Sequence, residues 1–455
     1  MSDLAWRAAG AAATVLAYAG LCLGVYRRES RRSEQKALQA AALAGSGHQV
    51  PTLVLFGSQT GQAESLAWQT AGWLQARGEA ARVRSLNHTS VDELKTANRA
   101  VFITSTYGEG DAPDGASVFD EQVMSAAAEL PMLRFSMLAL GDRQYVNFCG
   151  FGRRLDAWLS GTGAQREHDR LEVDNSDPAT LDTWRLQMGG SATAPLPAKD
   201  DTASSSWRLL AREHLNPGSE GAPLFHITFA PPEHEVMPAW QPGDLVQLHV
   251  PGDAARPRDY SIASIAQDGE LHLLVRQERH PDGRLGAASG LLTESLPVGS
   301  SHSLRIRSHE NFRLGDNANR PLLLIGNGSG LAGLRAHLRE QARLGQHQNW
   351  LVYGERHSRW DQPYRAELER WRAEGVLARL DLVFSRDEAE RRYVQHQLLQ
   401  ASDEVLAWLE RGAAIYVCGS LQGMGSGVDA ALRQIAGTEQ VSALAAQGRY
   451  RRDVY

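Results

Sequence analysis

Residues 50–190 alternate short apolar runs with longer stretches of helical periodicity. Thr52-Leu-Val-Leu-Phe56, Arg99-Ala-Val-Phe-Ile-Thr104 and Phe135-Ser-Met-Leu-Ala-Leu140 have the length and composition of buried strands. Strands separated by helical segments predict a doubly wound parallel sheet, which receives ligands at the carboxyl ends of its strands. From Trp207 to about Asn319 the pattern changes to short strand-like segments broken by Pro and Gly, which predicts a small antiparallel barrel. Strand–helix alternation returns at Pro321-Leu-Leu-Leu-Ile325 and continues to Ala414-Ile-Tyr-Val-Cys418, so a second α/β unit is expected there.

Two stretches fall outside this alternation. Ala8 to Tyr26 is nineteen residues without a charge, about 28 Å as a helix and close to the ~30 Å hydrocarbon core of a bilayer. Arg27, Arg28, Arg31 and Arg32 follow it, against Arg7 before it. That asymmetry predicts a single-pass anchor with all later residues in the cytoplasm, as in a bacterial inner membrane. An Ala-rich soluble helix is the competing reading; a cleaved signal peptide fits less well, because the charges lie on the wrong side. Glu29 to Gln49 reads as a helical stalk, and Gly189 to Ser206, rich in Ala, Ser, Pro and Gly without an aromatic residue, as a flexible linker.

Composition narrows the function. The 455 residues carry a net charge of −6, which argues against a protein devoted to nucleic acid. Cys22, Cys149 and Cys418 are far apart and form no CxxC pair, so a disulfide scaffold, a zinc finger and an all-cysteine cluster are excluded, and no metal is expected. Residues 1–49 carry six basic and three acidic side chains, whereas residues 50–190 carry twelve and eighteen. A basic head suits a membrane surface and an acidic domain suits a basic protein partner.

The chemistry sits in loops that follow the predicted strands. Gly57-Ser58-Gln59-Thr60-Gly61-Gln62-Ala63-Glu64 joins a strand to a helix, the geometry that holds a phosphate on backbone N–H groups. It lacks the lysine of a nucleotide-triphosphate loop. Ser105-Thr106-Tyr107-Gly108 and Gly141-Asp142-Arg143-Gln144-Tyr145 end the next two strands, and Tyr107 and Tyr145 suit the two faces of a flat ring. Each string alone also fits a plain turn; their coincidence at three strand ends decides. Arg258-Asp259-Tyr260-Ser261 combines a guanidinium for a diphosphate, a flat ring and a hydroxyl, and Gly286-Ala287-Ala288-Ser289 opens a helix. Gly326-Asn-Gly328-Ser329-Gly330 suits a dinucleotide or a tight turn. Ser385, Arg386, Arg391, Tyr393 and Gln395 suit a 2′-phosphorylated ribose or a solvated basic face. Cys418 ends a strand, where a structural thiol is the commoner role.

The first three loops resemble flavodoxin, and more closely the FMN domain of diflavin reductases, through GSQTGQAE, STYGEGD and LGDRQYVNFCG in that family's order. The later motifs, ending in RDVY, resemble its ferredoxin–NADP reductase module, most closely in sulfite reductase flavoprotein subunits. The resemblance implies FMN on Ser58 to Ala63, Ser105 to Gly108, Leu140, Gly141, Asp142, Tyr145, Phe148 and Cys149. It implies FAD on Arg258 to Ser261, Leu274, Val275, Arg276, Gly286 to Ser289 and Tyr455, the last covering the flavin where nicotinamide must reach. NADPH is expected on Gly328, Ser329, Ser385, Arg386, Arg391, Tyr393, Gln395 and Cys418. Ser261, Cys418 and Asp453 match the family's hydride-transfer trio.

The expected domains are anchor and stalk 1–49, flavodoxin-like FMN domain 50–188, linker 189–206, FAD-binding barrel 207–319 and NADPH-binding α/β domain 320–455. The expected function is NADPH-dependent electron transfer through FAD and FMN to a haemoprotein, a sulfite reductase haem subunit or another acceptor docking on the acidic FMN domain. The anchor leaves a reductase for ferric chelates or haem as an alternative. Three departures matter. Trp240-Gln-Pro-Gly-Asp244 reaches the RDYS motif in fewer than twenty residues, which leaves no room for the family's helical connecting domain. GNGSGLAG replaces GPGTGIAP, so a Pro is lost at Gly333, and Ser420 and Gly427 stand where the family carries acids. A one-flavin carrier with a decayed NADPH site is the rival these changes motivate.

Overall fold

The computed structural model describes residues 50–58, 61–107, 110–143, 147–174, 177–191, 204–232, 237–251 and 253–455. The expected anchor and stalk, most of the linker, and Gln59, Thr60, Gly108 and Tyr145 lie outside them. Among the described residues no helix is long and apolar enough to cross a membrane.

The first unit is a six-stranded parallel sheet in the order β2-β1-β3-β4-β5, with β6 also on β4. Its strands are β1 (Thr52–Gly57), β2 (Ala81–Ser85), β3 (Arg99–Ser105), β4 (Arg134–Gly141), β5 (Gln165–Arg166) and β6 (Leu171–Asp174). Helices α1 (Gln62–Ala76) and α4 (Pro178–Gln187) cover one face; α2 (Val91–Thr96) and α3 (Gly150–Gly161) cover the other. β1, β3 and β4 are almost wholly buried, so they read as apolar runs without alternation. Local chemistry sets the helix starts. Ser90 Oγ accepts from Glu93 N at 3.3 Å to cap α2, and Asp177 accepts from Thr180 N at 2.9 Å with Pro178 in the first turn of α4.

The second unit is a six-stranded antiparallel sheet in the order β10-β9-β12-β7-β8-β11. It comprises β7 (Ser205–His214), β8 (Leu224–Ala230), β9 (Leu245–Val250), β10 (Asp253–Ser261), β11 (Leu271–Arg276) and β12 (Ser301–Arg307), with the short helix α5 (Ala287–Gly290). A bridge from Ile262 to Leu273 joins the two outer strands and closes the barrel, as the Pro- and Gly-broken pattern predicts. β7 begins at Ser205, inside the stretch read as linker, because Ser205 and Ser206 pair with Leu304 and Ser303. β9 pairs directly with β10, from Val250 with Asp253 to Leu245 with Ser261. Among the described residues no helix lies between them.

The third unit is a five-stranded parallel sheet, β15-β14-β13-β16-β17. Its strands are β13 (Leu322–Asn327), β14 (Asn349–Glu355), β15 (Leu377–Phe384), β16 (Ala414–Gly419) and β17 (Tyr450–Val454). Around it lie α6 (Leu331–Arg343), α7 (Arg365–Ala373), α8 (Val394–Gln400), α9 (Ser402–Glu410), α10 (Ser426–Ala436) and α11 (Thr438–Ala446). The barrel is fixed to this unit by charge as well as packing. Arg335 of α6 donates to the Ala263 carbonyl at 2.6 Å and pairs with Glu367, and Arg339 pairs with Asp268 at 2.7 Å.

Candidate functional site

At the carboxyl end of the first sheet, Ser58 Oγ accepts from Gly61 N at 2.9 Å and shapes the loop. Gly61 has φ +88°, a left-handed conformation that glycine adopts without strain, at the start of α1. Beside it, Thr106 N donates to the Leu140 carbonyl at 2.9 Å, and Tyr107 N donates to the Asp111 carbonyl at 3.0 Å. Cys149, at φ +53°, starts α3 and donates its thiol to the Ala139 carbonyl at 3.3 Å. Burial pushes that thiol up to about 12. A Cβ on Gly141 would meet Cys149 N and Sγ at 2.9 Å, so strand and helix start are in close contact there. The Arg143 guanidinium covers the Phe148 ring at 4.7 Å. Ser58, Ser105, Thr106, Tyr107, Leu140, Gly141, Phe148 and Cys149 thus share one end of one sheet.

The reductase half brings three other strand ends together. Ser261, at the end of β10, donates to Asp453 Oδ2 at 2.7 Å, and the Cys418 thiol points to the same oxygen at 3.6 Å. Strand register brings the last two side by side, because Cys418 of β16 pairs with Asp453 of β17. Burial and the neighbouring Asp453 carboxylate hold the Cys418 thiol well above its ordinary range, so it is a neutral donor. Tyr455 N donates to the Gly419 carbonyl at 3.0 Å, and the Tyr455 hydroxyl lies 2.9 Å from Ser329 Oγ. The Tyr455 side chain, 54% exposed, therefore lies across the Gly328–Gly330 turn.

Around this centre the predicted flavin residues divide. Tyr260 is half-buried, and burial raises its phenol. Leu274 and Val275 are buried in the core, which leaves only their main chain for a ligand. Asp259 is taken up by Gln247 at 2.9 Å and by Arg307. Ser289 accepts from Glu278 N at 3.1 Å. Arg276 ion-pairs with Glu355 of β14, whose carboxyl burial raises, and a Cβ on Gly328 would meet its guanidinium at 3.2 Å. It therefore stands beside the dinucleotide turn as much as the barrel.

The basic cluster lies at the ends of β14 and β15. Ser385 Oγ donates to the Glu355 carbonyl at 3.2 Å, and Arg386 N donates to the Arg356 carbonyl at 2.9 Å. Arg391 and Tyr393 are exposed, and Gln395 reaches the Gly423 carbonyl at 3.4 Å. The family departures also acquire physical form. Asn327 Oδ1 accepts from Ser420 N at 2.9 Å and its Nδ2 donates to Ser420 Oγ at 3.2 Å, so a neutral pair ties the two loops. A Cβ on Gly333 would meet Phe312 at 3.0 Å and Cys418 Sγ at 3.4 Å; one on Gly427 would meet Gln395 at 2.8 Å. Phe312 and Gln395 thus occupy the room beside those positions. The Asn327–Ser420 and Arg276–Glu355 pairs escaped sequence reasoning; the change of Pro to Asn in the glycine turn was the available signal for the first.

A flavodoxin-type sheet joined to a closed barrel and a dinucleotide sheet, with three strand ends meeting at one carboxylate, defines a two-flavin reductase. The flavodoxin family model matches residues 54–186. The NADPH sulfite reductase flavoprotein alpha-component of Thiocapsa roseopersicina is 30% identical over 439 residues, covering 84% of this chain and 83% of that protein. Its counterpart in Bacillus subtilis is 28% identical over 537 residues, covering 88% and 89%, and that of Vibrio cholerae 28% over 536, covering 88% and 87%. The chain belongs to the family of NADPH sulfite reductase flavoprotein alpha-components, a diflavin reductase family. The alignment with the Bacillus protein is longer than the 455 residues of this chain, so it spans segments absent here.

Membership implies FMN, FAD and NADPH. The residues present fit them. Thr106 Oγ1, in the second flavodoxin loop, is buried without a hydrogen-bond partner among the described residues, as a hydroxyl awaiting a flavin would be. Gln395 Oε1 is in the same state beside the basic cluster. The half-buried Tyr260 and the Ser261–Asp453–Cys418 convergence provide a flat face beside a polar edge.

Proposed function

We propose that the chain is an NADPH-dependent diflavin reductase that carries electrons from NADPH through FAD and FMN to a haemoprotein or a related redox acceptor. The observation that carries this reading is the meeting of Ser261, Asp453 and Cys418 at one oxygen beneath Tyr455. When bound, NADPH supplies a hydride, and the flavins accept the pair and release it one electron at a time.

The protein contributes position and charge. Ser261 and the neutral Cys418 thiol orient the Asp453 carboxylate, which then faces positive charge developing on a nicotinamide ring. Tyr455 covers the flavin face and must yield to admit that ring. Ser385, Arg386, Arg391, Tyr393 and Gln395 hold a 2′-phosphorylated ribose, and Gly328 and Ser329 the adjoining diphosphate. Ser58 to Ala63 hold the FMN phosphate, with Tyr107 and Tyr145 beside the ring. Arg258 and Gly286 to Ser289 hold the FAD diphosphate. Acidic residues of the 50–190 segment receive a partner with a basic face, and residues 8–26 anchor the chain in an inner membrane with the catalytic units cytoplasmic.

The test is the flavin content of detergent-purified protein, followed by anaerobic NADPH addition under an absorbance spectrum. One FAD and one FMN per chain, both bleached by NADPH, are expected. A single flavin, or flavins that ignore NADPH, would overturn the proposal in favour of a one-flavin carrier.

A further inference from the structure

Strand β17 has two faces and one free edge, and each has a separate occupant. The odd-numbered side chains look toward the barrel: Arg451 donates to the Glu310 and Arg313 carbonyls, and Asp453 meets Ser261. The other edge of β17 is paired to β16, from Ile415 with Tyr450 to Gly419 with Val454. In a strand, successive main-chain groups alternate between the two edges. Val454 therefore turns its N–H and C=O away from β16, toward the flavodoxin unit.

There the Tyr107 hydroxyl takes both groups. Val454 N donates to it at 2.8 Å, and it donates in turn to the Val454 carbonyl. Burial and the nearby Asp114 and Asp453 carboxylates raise the phenol, so it is the neutral hydroxyl that one donor and one acceptor require. Further ties frame the contact. Arg452 pairs with Asp114 at 2.7 Å, with both side chains less than one-fifth exposed. Arg433 and Ser442, on α10 and α11, meet Glu121 at 2.6 and 3.0 Å, and Asn311 donates to the Ser58 carbonyl at 3.0 Å. The next residue after Val454 is Tyr455, which lies over the dinucleotide turn.

We propose that Tyr107 is a positioning residue for Tyr455: by clasping Val454, the docked flavodoxin unit holds Tyr455 in place and opposes nicotinamide. The inference rests on the two-flavin reading above. A tyrosine at the FMN loop reaches across 347 residues of sequence to the residue preceding the cover of the other flavin. Docking and nicotinamide admission then compete, and release of the flavodoxin unit frees Tyr455 to move aside.

The test compares NADP⁺ with 2′,5′-ADP, which carries the phosphorylated ribose but no nicotinamide, on the flavin-loaded full chain. In Tyr107→Phe, which keeps the ring and removes the hydroxyl, NADP⁺ should bind roughly tenfold more tightly. The 2′,5′-ADP affinity should stay as in the unaltered protein, and hydrogen exchange at Val454 and Tyr455 should rise by a similar factor. Asp114→Asn should shift NADP⁺ affinity and exchange in the same direction by less, and it stands in if the Phe variant loses FMN. Unchanged NADP⁺ affinity in both variants, or an equal change for both ligands, overturns the clasp. Absence of binding of either ligand to the unaltered protein instead overturns the NADPH-dependent reading on which the inference rests.

Discussion

In the flavodoxin sheet the chain reverses between β1 and β3, and in the dinucleotide sheet between β13 and β16. Both openings receive a glycine turn, yet the glycines differ in what requires them. A Cβ on Gly61 would meet nothing within 4 Å; only its φ of +88° demands glycine. A Cβ on Gly330 would stand 2.1 Å from the Cys418 carbonyl oxygen, although its φ of −60° suits any residue. The first glycine has open space beside it among the described residues. The second is wedged against the strand that carries the thiol, so the dinucleotide turn and Cys418 hold a common register. The cysteines repeat the contrast: burial raises both thiols, but Cys149 faces a backbone carbonyl whereas Cys418 faces a carboxylate.

The largest expected effect is at the wedge. Gly330→Ala should cost more than about 3 kcal/mol, because backbone rather than a movable side chain blocks the new methyl. Thermal melts and NADP⁺ titration would measure it, and a well-folded variant with unaltered affinity would erase the contrast. Asp453→Asn should keep both flavins but slow reduction by NADPH on the order of 10²-fold in stopped-flow absorbance, the loss typical of one preorganised charge. An unchanged rate would remove Asp453 from the trio.

Titration separates the halves further. Burial lowers His226 and His337, both in the reductase half, to about 3. Unfolding would let them take up protons near their ordinary value, so their contribution is present above about 6.5 and lost as pH falls toward 3. Cys149 has the opposite sense. Its folded value of about 12 exceeds the free thiol value of 9.0, so flavodoxin stability falls as pH rises through that interval. Calorimetry across pH should therefore show the reductase transition falling on the acid side, whereas both transitions fall on the alkaline side, because burial raises Cys418 and Tyr260 of the reductase half as it raises Cys149. The smallest effect is at the open turn: Gly61→Ala should cost about 1 kcal/mol, from its left-handed backbone alone.

Much of the fold is legible because it is written in local periodicity. The apolar runs of β1, β3 and β4 and the broken pattern of the barrel declare themselves within a few residues. Candidate site residues were legible where a short string ends a strand, as Ser261 and Cys418 do. What escaped reading joins distant positions: Asn327 to Ser420, Arg276 to Glu355, Tyr107 to Val454. No local pattern encodes such pairs, because strand order brings them together. Arg276 shows the cost. The resemblance puts it among the FAD residues of the barrel, and no local pattern foretells that its guanidinium also pairs with Glu355 of the neighbouring unit.

The outer edge of β17 carries a further consequence for solubility. An uncovered strand edge is a template on which another chain can add a strand. Here the Tyr107 clasp closes that edge at Val454, so each departure of the flavodoxin unit would bare it. The run Arg451-Arg452-Asp453 places three charges along the same short strand, the kind of guard that makes strand addition unfavourable. Asp453, for which we propose a part in hydride transfer, and Arg452, which pairs with Asp114 of the flavodoxin unit, would thereby also guard this edge against self-association.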